Sequence, residues 1–481
     1  MSKVVLFFPG ENWSYGTDRE FPPVSIISLG NYLTENGISC ELVDVRHDDF
    51  TKVNLDDVIF VGISSFTGHQ IEVGLTIAKH VRKINPSIPI VWGGIHPTLL
   101  PHQTLENPFV DIVVSGEGEE TLLELARKLE KGESKKDVRG ISYKTKTGAI
   151  KHNEKRPFMN MDDVSNVSFD LIKNPKIYKP TEVYHYMSSR GCPHRCVFCY
   201  NTKFCQSRWR TKSDKKVEEE LKYIMDTYNP KIIEFCEDNF FVRKKKVENI
   251  CNFLKSEGFS GEWTGDCRVD YFKSYDKDFL KLIKNSGCNV LSIGVESGSQ
   301  RILDFVCKDI TVKGAIDAAK KCKDVGISFF NLFMVGFPTE TREEVHKTLN
   351  LIDILERINP ESSSIISSFS PYPGTKLFDV AVSMGFKPPQ SLEGWGKWLF
   401  STKGNINWMS EEDVDFLEKV AMISRVRRVE RKVPETVSEL LKLAGKLPFS
   451  LSGNLRWRYR FFSLTYEWKL WNYIQRKRGY F

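Results

Sequence analysis

The sequence predicts an α/β protein built from two parallel-sheet units in tandem and closed by a helical region. Three observations carry this. Short β-rich runs alternate with helical patterns twice along 481 residues, five strands in the first series and six in the second. A stretch rich in Lys, Asn, Asp and Pro, residues 132–180, separates the two series. The region after residue 385 shows helical patterns with no repeat and no low-complexity tract.

The first series places strands at "VVLFF" (4–8), "CELVDV" (40–45), "VIFVGI" (58–63), "IPIVW" (88–92) and "DIVV" (111–114). Between them run helical patterns such as "VSIISLGNYLTENG", which stops at Gly37, and "IEVGLTIAKHVRKINP". This is a Rossmann-like, doubly wound domain over residues 1–135. Residues 136–180 read as a linker, with "GISYK" its one strand-like run. The second series, residues 181–385, has strands at 183–189, 231–237, 261–266, 289–296, 327–336 and 362–370, separated by helices such as "DKKVEEELKYIMDTY". Eight such units close a full barrel. Six predict an open one, a (βα)6 partial TIM barrel, followed by a helical C-terminal extension over 386–481.

Composition narrows the function classes. Hydrophobic content of 41% and charged content of 27% are those of a soluble globular protein. No run approaches the ~18 apolar residues of a membrane span, and "MSKVVLFFPGEN" is too short for a secretory signal and reads as a first strand. Eleven cysteines without framework spacing point to a reducing cytoplasm. The net charge of +7 is concentrated at the end, where residues 451–481 hold seven Lys/Arg and one Glu. A nucleic-acid binder carries its basic stripe on the main fold, so nucleic acid is not expected as a partner.

The chemistry starts at "RGCPHRCVFCYN" (190–201), where Cys192, Cys196 and Cys199 sit directly after the first strand of the second series. Parallel α/β folds gather ligands at that end of their strands. A structural zinc site takes four ligands and closes its shell, with Cys205 the fourth ligand in that alternative. Three soft thiolates suit an iron–sulfur cluster and leave one iron open.

This C-x3-C-x2-C loop, at the head of a six-unit series, resembles the signature of the radical S-adenosylmethionine superfamily. The resemblance implies a 4Fe-4S cluster on Cys192, Cys196 and Cys199, whose open iron chelates S-adenosylmethionine and, when reduced, yields a 5′-deoxyadenosyl radical in an anaerobic cell. It implies that Phe198 lies against the adenine. Glu237 and Asp238 of "EDNFF" would serve the cofactor's amino end, Arg268 of "CRVD" its carboxylate, Glu296 of "GVESGS" its ribose, and the backbone from Gly336 to Pro338 of "MVGFPTET" its adenine. An arginine suits a carboxylate because its planar fork makes two parallel hydrogen bonds. Taken singly, Glu296 reads as a helix-start carboxylate, Gly336 and Pro338 as a turn, and Arg268 as a surface ion pair. In fixed order around one barrel mouth they read as a site.

The first domain carries "REFPPVS" (19–25), "SSFTGH" (64–69), "GGIHPT" (93–98) and "GEGEE" (116–120) at strand ends. The dinucleotide fingerprint G-x-G-x-x-G is absent after its first strand. The arrangement is similar to the cobalamin-binding domain of the cobalamin-dependent radical S-adenosylmethionine class, which includes C- and P-methyltransferases and anaerobic magnesium-protoporphyrin monomethyl ester cyclases. The resemblance implies cobalamin held by Ser64, Ser65, Gly93, Gly94, Gly116 and Glu117. The D-x-H-x-x-G motif is missing, with "PGENWSYG" in its place, so cobalt is expected without a histidine lower ligand. His96 and His69 are the substitutes to weigh, each more often a loop hydrogen-bonding residue. A domain that binds no corrin and only shapes the substrate pocket is the alternative.

The implied reaction is methylation of an unactivated carbon or a phosphinate phosphorus, with an oxidative, ring-forming reaction of the cyclase type second and a zinc-stabilised binding protein a distant third. Implied partners are a small-molecule substrate, a lipid or tetrapyrrole among the candidates, and an electron donor such as flavodoxin or ferredoxin. In the tail, Phe461, Leu464, Trp468 and Trp471 recur at helical spacing. That stripe predicts a helix packed on the barrel or, alternatively, one lying on the inner face of an anionic membrane.

Overall fold

The computed structural model describes residues 2–10, 21–164, 168–398, 408–427 and 450–463. In the N-terminal domain, β1 (Lys3–Phe8), β2 (Ser39–Asp44), β3 (Val58–Ser64), β4 (Ile90–Gly93) and β5 (Ile112–Val114) run parallel in the order β2-β1-β3-β4-β5. The strands are apolar on both faces because helices cover both. Val4, Leu6, Phe60 and Val91 face helices Val24–Glu35 and Glu119–Glu130, while Val5, Phe7, Val61 and Trp92 face helix His69–Ile84. Strand order reverses between β1 and β3, which is where such sheets open a ligand crevice.

The sheet does not stop at five strands. An antiparallel hairpin, β6 (Ile141–Lys144) and β7 (Ile150–His152), pairs onto β5, so the stretch read as linker begins inside the first domain. The runs "ISYK" and "IKH" are short and charged, as edge strands often are. Their turn closes through Gly148, whose positive φ of 82° a side chain would disfavour.

The second sheet contains all six strands of the second series: β8 (Val183–Tyr186), then, after a small hairpin of β9 (Ser189–Arg190) and β10 (Arg210–Thr211), β11 (Ile232–Phe235), β12 (Glu262–Cys267), β13 (Val290–Glu296), β14 (Ser328–Val335) and β15 (Ser363–Ser368). The order β15-β14-β13-β12-β11-β8 is parallel throughout, an open six-stranded barrel. Strand alternation sorts its side chains. Tyr184, Phe235, Trp263, Cys267, Ile293 and Phe333 are buried under the helices, whereas the alternate positions His185, Glu234, Asp266, Ser292 and Phe330 face the lumen.

The C-terminal region does two jobs. Phe386, Leu392, Trp395 and Trp398 complete the N-terminal core beside Val5 and Trp92, with Trp395 Nε1 donating to Gln103 at 2.7 Å. Helix Glu411–Val426 covers the free edge of β15, where Ser424 Oγ accepts from the Ile366 amide at 3.2 Å. Residues 450–458 are helical, and Trp457 is buried against barrel helix Arg342–Ile358 with its Nε1 donating to Asp353 at 2.7 Å. This part of the basic aromatic tail packs on the barrel; Leu464, Trp468 and Trp471 lie outside the described residues. Among the described residues no helix is long and apolar enough to cross a membrane.

The two domains meet through charge. Arg190 donates to Glu119 at 2.6 Å and pairs with Glu117 at 3.4 Å, and Arg210 donates twice to Glu117. Glu119 is buried, and despite the opposing effect of burial, the Arg190 guanidinium and hydrogen bonds hold its carboxyl below the ordinary range. Glu119→Ala removes the nearer of the two carboxylates on Arg190 and leaves it with Glu117 at 3.4 Å. It is expected to cost about 3 kcal/mol, read as a lower urea midpoint with unchanged slope.

Candidate functional site

The cysteine loop leaves β9 at Gly191, whose φ is +85° and where a Cβ would lie 2.1 Å from the Arg208 carbonyl oxygen. Only glycine lets the chain turn there. Asn239 Nδ2 donates to Cys192 Sγ at 3.5 Å, and Arg268 Nη1 donates to Cys196 Sγ at 3.6 Å. Burial pushes the Cys199 thiol up to about 12 and raises Cys192 as well. Cys192 and Cys199 therefore become thiolates when a metal centre supplies the compensating charge, and donors already point at Cys192 and Cys196. Cys205 stands apart: it is buried, and its Sγ donates to Asn201 Oδ1 at 3.2 Å. Three soft thiols on one loop match the donor chemistry of an iron–sulfur cluster with an open iron.

Around the mouth, the predicted residues divide. Phe198 packs against Phe337, ring centroids 5.8 Å apart, which brings it to the Gly336–Pro338 turn. That turn is held by Glu340, whose Oε2 accepts from the amides of Gly336 at 2.6 Å and Phe337 at 3.2 Å, while Trp408 Nε1 donates to the Gly336 carbonyl at 3.1 Å. Burial pushes the Glu340 carboxyl up to about 7. Glu296 ends β13 in the left-handed region at φ +66°, a strained conformation for a residue with a side chain, and pairs with Lys308 at 2.7 Å. Arg268 spans Asp270 (2.9 Å), the Lys308 carbonyl and Cys196.

Two assignments change. Glu237 does not face the mouth: it is buried, accepts from the Ser188 amide at 2.6 Å and from the hydroxyls of Ser188 and Ser189, and lies 3.7 Å from Lys246. Those donors use its lone pairs, so it fixes the strand under the loop. Asp238 accepts from the Gly191 amide at 3.1 Å and so steadies the loop directly. Glu117, expected at a corrin, is instead taken by Arg190 and Arg210. Sequence reasoning passed over Asn239, one residue beyond the pair it chose in the same motif. It also passed over Lys308, which no local pattern marks.

At the crevice end of the N-terminal sheet, Ser65 Oγ and His96 Nε2 are buried polar atoms without a hydrogen-bond partner. Gly94, at φ +94°, brings the two loops together; a Cβ there would lie 2.7 Å from the Ser65 carbonyl. His96 Nδ1 lies 2.9 Å from Thr67 Oγ1, burial pushes its imidazole down to about 3, and Trp395 packs edge-on at 5.6 Å. Ser64 and Gly93 close the same strand ends in register, and the Gly116 amide donates to Thr98 Oγ1 at 2.9 Å. Orphaned polar atoms beside a glycine at the ends of β3 and β4, next to the switch point, fit a large ligand that hydrogen-bonds there. His69 is on the surface with Glu72 at 3.3 Å.

Residues 186–352 match the Radical SAM superfamily. The chain is 36% identical over 372 residues to an uncharacterised methyltransferase of Pyrococcus horikoshii, spanning 75% of this chain and 79% of that one. The chain belongs to the radical S-adenosylmethionine superfamily. Residues 17–126 match the B12 binding domain, so its cofactors are a 4Fe-4S cluster, S-adenosylmethionine and cobalamin. It is also 28% identical over 393 residues to the anaerobic magnesium-protoporphyrin IX monomethyl ester cyclase of Rubrivivax gelatinosus, covering 78% of this chain and 69% of that one. In fold it is similar to the radical S-adenosylmethionine methyltransferase TsrM of Kitasatospora setae, solved with cobalamin and a 4Fe-4S cluster. The TM-score is 0.70 at 15% identity, over 94% of this chain and 99% of that one.

The loop geometry makes the ligand set testable. Alanine at Cys192, Cys196 or Cys199 is expected to abolish iron and acid-labile sulfide after anaerobic reconstitution, while Cys205→Ala keeps about four irons per chain. Loss of the cluster in Cys205→Ala would overturn the three-thiol assignment.

Proposed function

We propose that the protein is a cobalamin-dependent radical S-adenosylmethionine methyltransferase. The observation that carries this is the clamp of Glu117 and Glu119 on Arg190, two residues before Cys192. It brings the strand ends of the B12-binding sheet against the cysteine loop. When bound and reduced by a carrier of the flavodoxin or ferredoxin type, the cofactors supply a carbon-centred radical and a methyl group. The protein's own residues hold the parts in place. Cys192, Cys196 and Cys199 bind the cluster, and Asn239 and Arg268 direct N–H dipoles at its sulfur ligands, which raises the potential of such centres. Phe198 and Phe337 wall the adenine, Glu340 fixes the turn beneath it, and Glu296 with Lys308 closes the lip. Ser65 and His96 offer polar atoms to the corrin.

The identity to the cyclase favours ring formation as a second reading. With methyl-labelled S-adenosylmethionine under reducing, anaerobic conditions, the loaded enzyme and a set of acceptor compounds, methyl transfer gives S-adenosylhomocysteine, 5′-deoxyadenosine and labelled product. Deoxyadenosine with an unlabelled, dehydrogenated product would support the cyclase reading instead.

Membrane contact rests on the helical residues 450–458, which expose Leu451 and Leu455, followed by exposed Tyr459, beside Arg456 and Arg458. Anionic lipid attracts basic residues by about 1 kcal/mol each, less at high salt. Full-length protein is expected to co-sediment with phosphatidylserine vesicles in low salt, and Leu451→Asp/Leu455→Asp to release it. Failure of the full-length protein to bind would leave this helix a purely structural cover.

A further inference from the structure

The lumen of the open barrel carries a chemistry that the cluster and its cofactor do not use. Register aligns His185 with Glu234, Glu234 with Thr264, Asp266 with Ser292 and Ser292 with Phe330, all on the face opposite the buried core. In a closed barrel these positions pack into filled layers. Here Asp266 is exposed, as are Val290 and Phe330 at 38% and 36%, although all three lie within the sheet. These three side chains reach open space.

The lumen's hydroxyls are engaged, Thr264 with the Val290 carbonyl and Ser292 with Asp266, and its charged groups among the described residues are acidic. Glu234 and Asp266 are carboxylates. His185 is buried and its Nδ1 has no partner, while Nε2 lies 3.4 Å from Glu234 Oε2. With the Nε2 proton directed at that carboxylate, Nδ1 is a lone pair, a third acceptor. The nearby cations are committed elsewhere: Lys308 to Glu296, and Arg268 to Asp270 and the cysteine loop. Desolvation by the protein around it pushes the Asp266 carboxyl up to about 6, with Glu234 and Asp238 adding to the rise and the Ser292 hydroxyl and Lys308 opposing it. Among the described residues, carboxylates outweigh cations here. Phe330 and Phe21, the latter edge-on to His185 at 5.0 Å, supply apolar walls.

We infer that this lumen is the substrate pocket and that it selects a compound bearing a protonated amine beside an apolar or aromatic body, held by Glu234, Asp266 and His185. The inference rests on the methyltransferase reading for its site. Its content is the sign of the ligand's charge: a carboxylate or phosphonate would be repelled by the two carboxylates.

Benzylamine and benzoate, of matched size and opposite charge, serve as probes on the cluster-loaded protein, read by saturation-transfer difference NMR. Benzylamine is expected to bind saturably and benzoate not. Glu234→Gln/Asp266→Asn should weaken benzylamine by about tenfold or more, with circular dichroism confirming the fold. Benzoate binding as well as benzylamine, or benzylamine unaffected by the substitutions, overturns the inference. So does a double variant that loses the S-adenosylmethionine-induced change in the cluster's paramagnetic resonance spectrum while still binding benzylamine, since the acids would then serve the cofactor. If the wild-type cluster shows no response to S-adenosylmethionine, the functional reading fails separately, because the amine test does not depend on it.

Discussion

The position of residues 190–200 governs the rest of the site, and charge at the domain boundary sets it. Arg190 is anchored in Glu117 and Glu119 on one side and leads into Gly191 on the other. At Gly191 the chain must turn with a positive φ against the Arg208 carbonyl. A buried ion pair adds little to stability when its desolvation is counted, but removing one partner is costly. Such a contact specifies an arrangement more than it strengthens one. Here it ties the corrin-binding sheet and the cluster loop to the same four side chains, so neither can shift without the other.

A second constraint comes from strand alternation in an unfinished barrel. Six strands leave the barrel open, and the covering helices bury every second residue, so the other half of each strand is free of packing demands. Evidence of that freedom is the presence of Glu234, Asp266 and Ser292 where closed barrels hold branched aliphatic residues. The free edge this creates at β15 needs a cover, and helix Glu411–Val426 supplies it. Openness for a substrate and a long C-terminal extension are therefore two consequences of one architecture.

How much of this was legible beforehand follows from the range of each interaction. Eleven parallel strands and the cysteine loop could be read because apolar period-2 runs and thiol spacing are local signals. The β6–β7 hairpin was missed because its edge strands are short and charged. Trp395 could not be assigned to the N-terminal core from sequence, since its partner Gln103 lies 292 positions away. That Glu117 and Glu237 have protein partners was not legible, for a common reason. A carboxylate at a strand end looks the same whether it faces a ligand or a neighbour's donors, and here Arg190, Arg210, Ser188 and Ser189 claim them.

The same competition for donors explains why the mouth and the lumen differ in character. At the mouth each carboxylate has a dedicated cation or set of backbone amides: Glu296 has Lys308, Asp270 has Arg268, and Glu340 has the amides of Gly336 and Phe337. Those groups are spent on holding shape, which is what an arrangement of three cofactors requires, and the strained backbone at Glu296 shows how tightly it is fixed. One layer down, Asp266 has the Ser292 hydroxyl beside it and two further carboxylates in reach, and desolvation by the surrounding protein, with those charges adding to it, favours its protonated form. His185 Nδ1 on the same face is a buried acceptor without a donor, which is unfavourable unless something else satisfies it. The protein satisfies such groups wherever it fixes geometry and leaves them wanting in the lumen, where the partner is expected to come from outside.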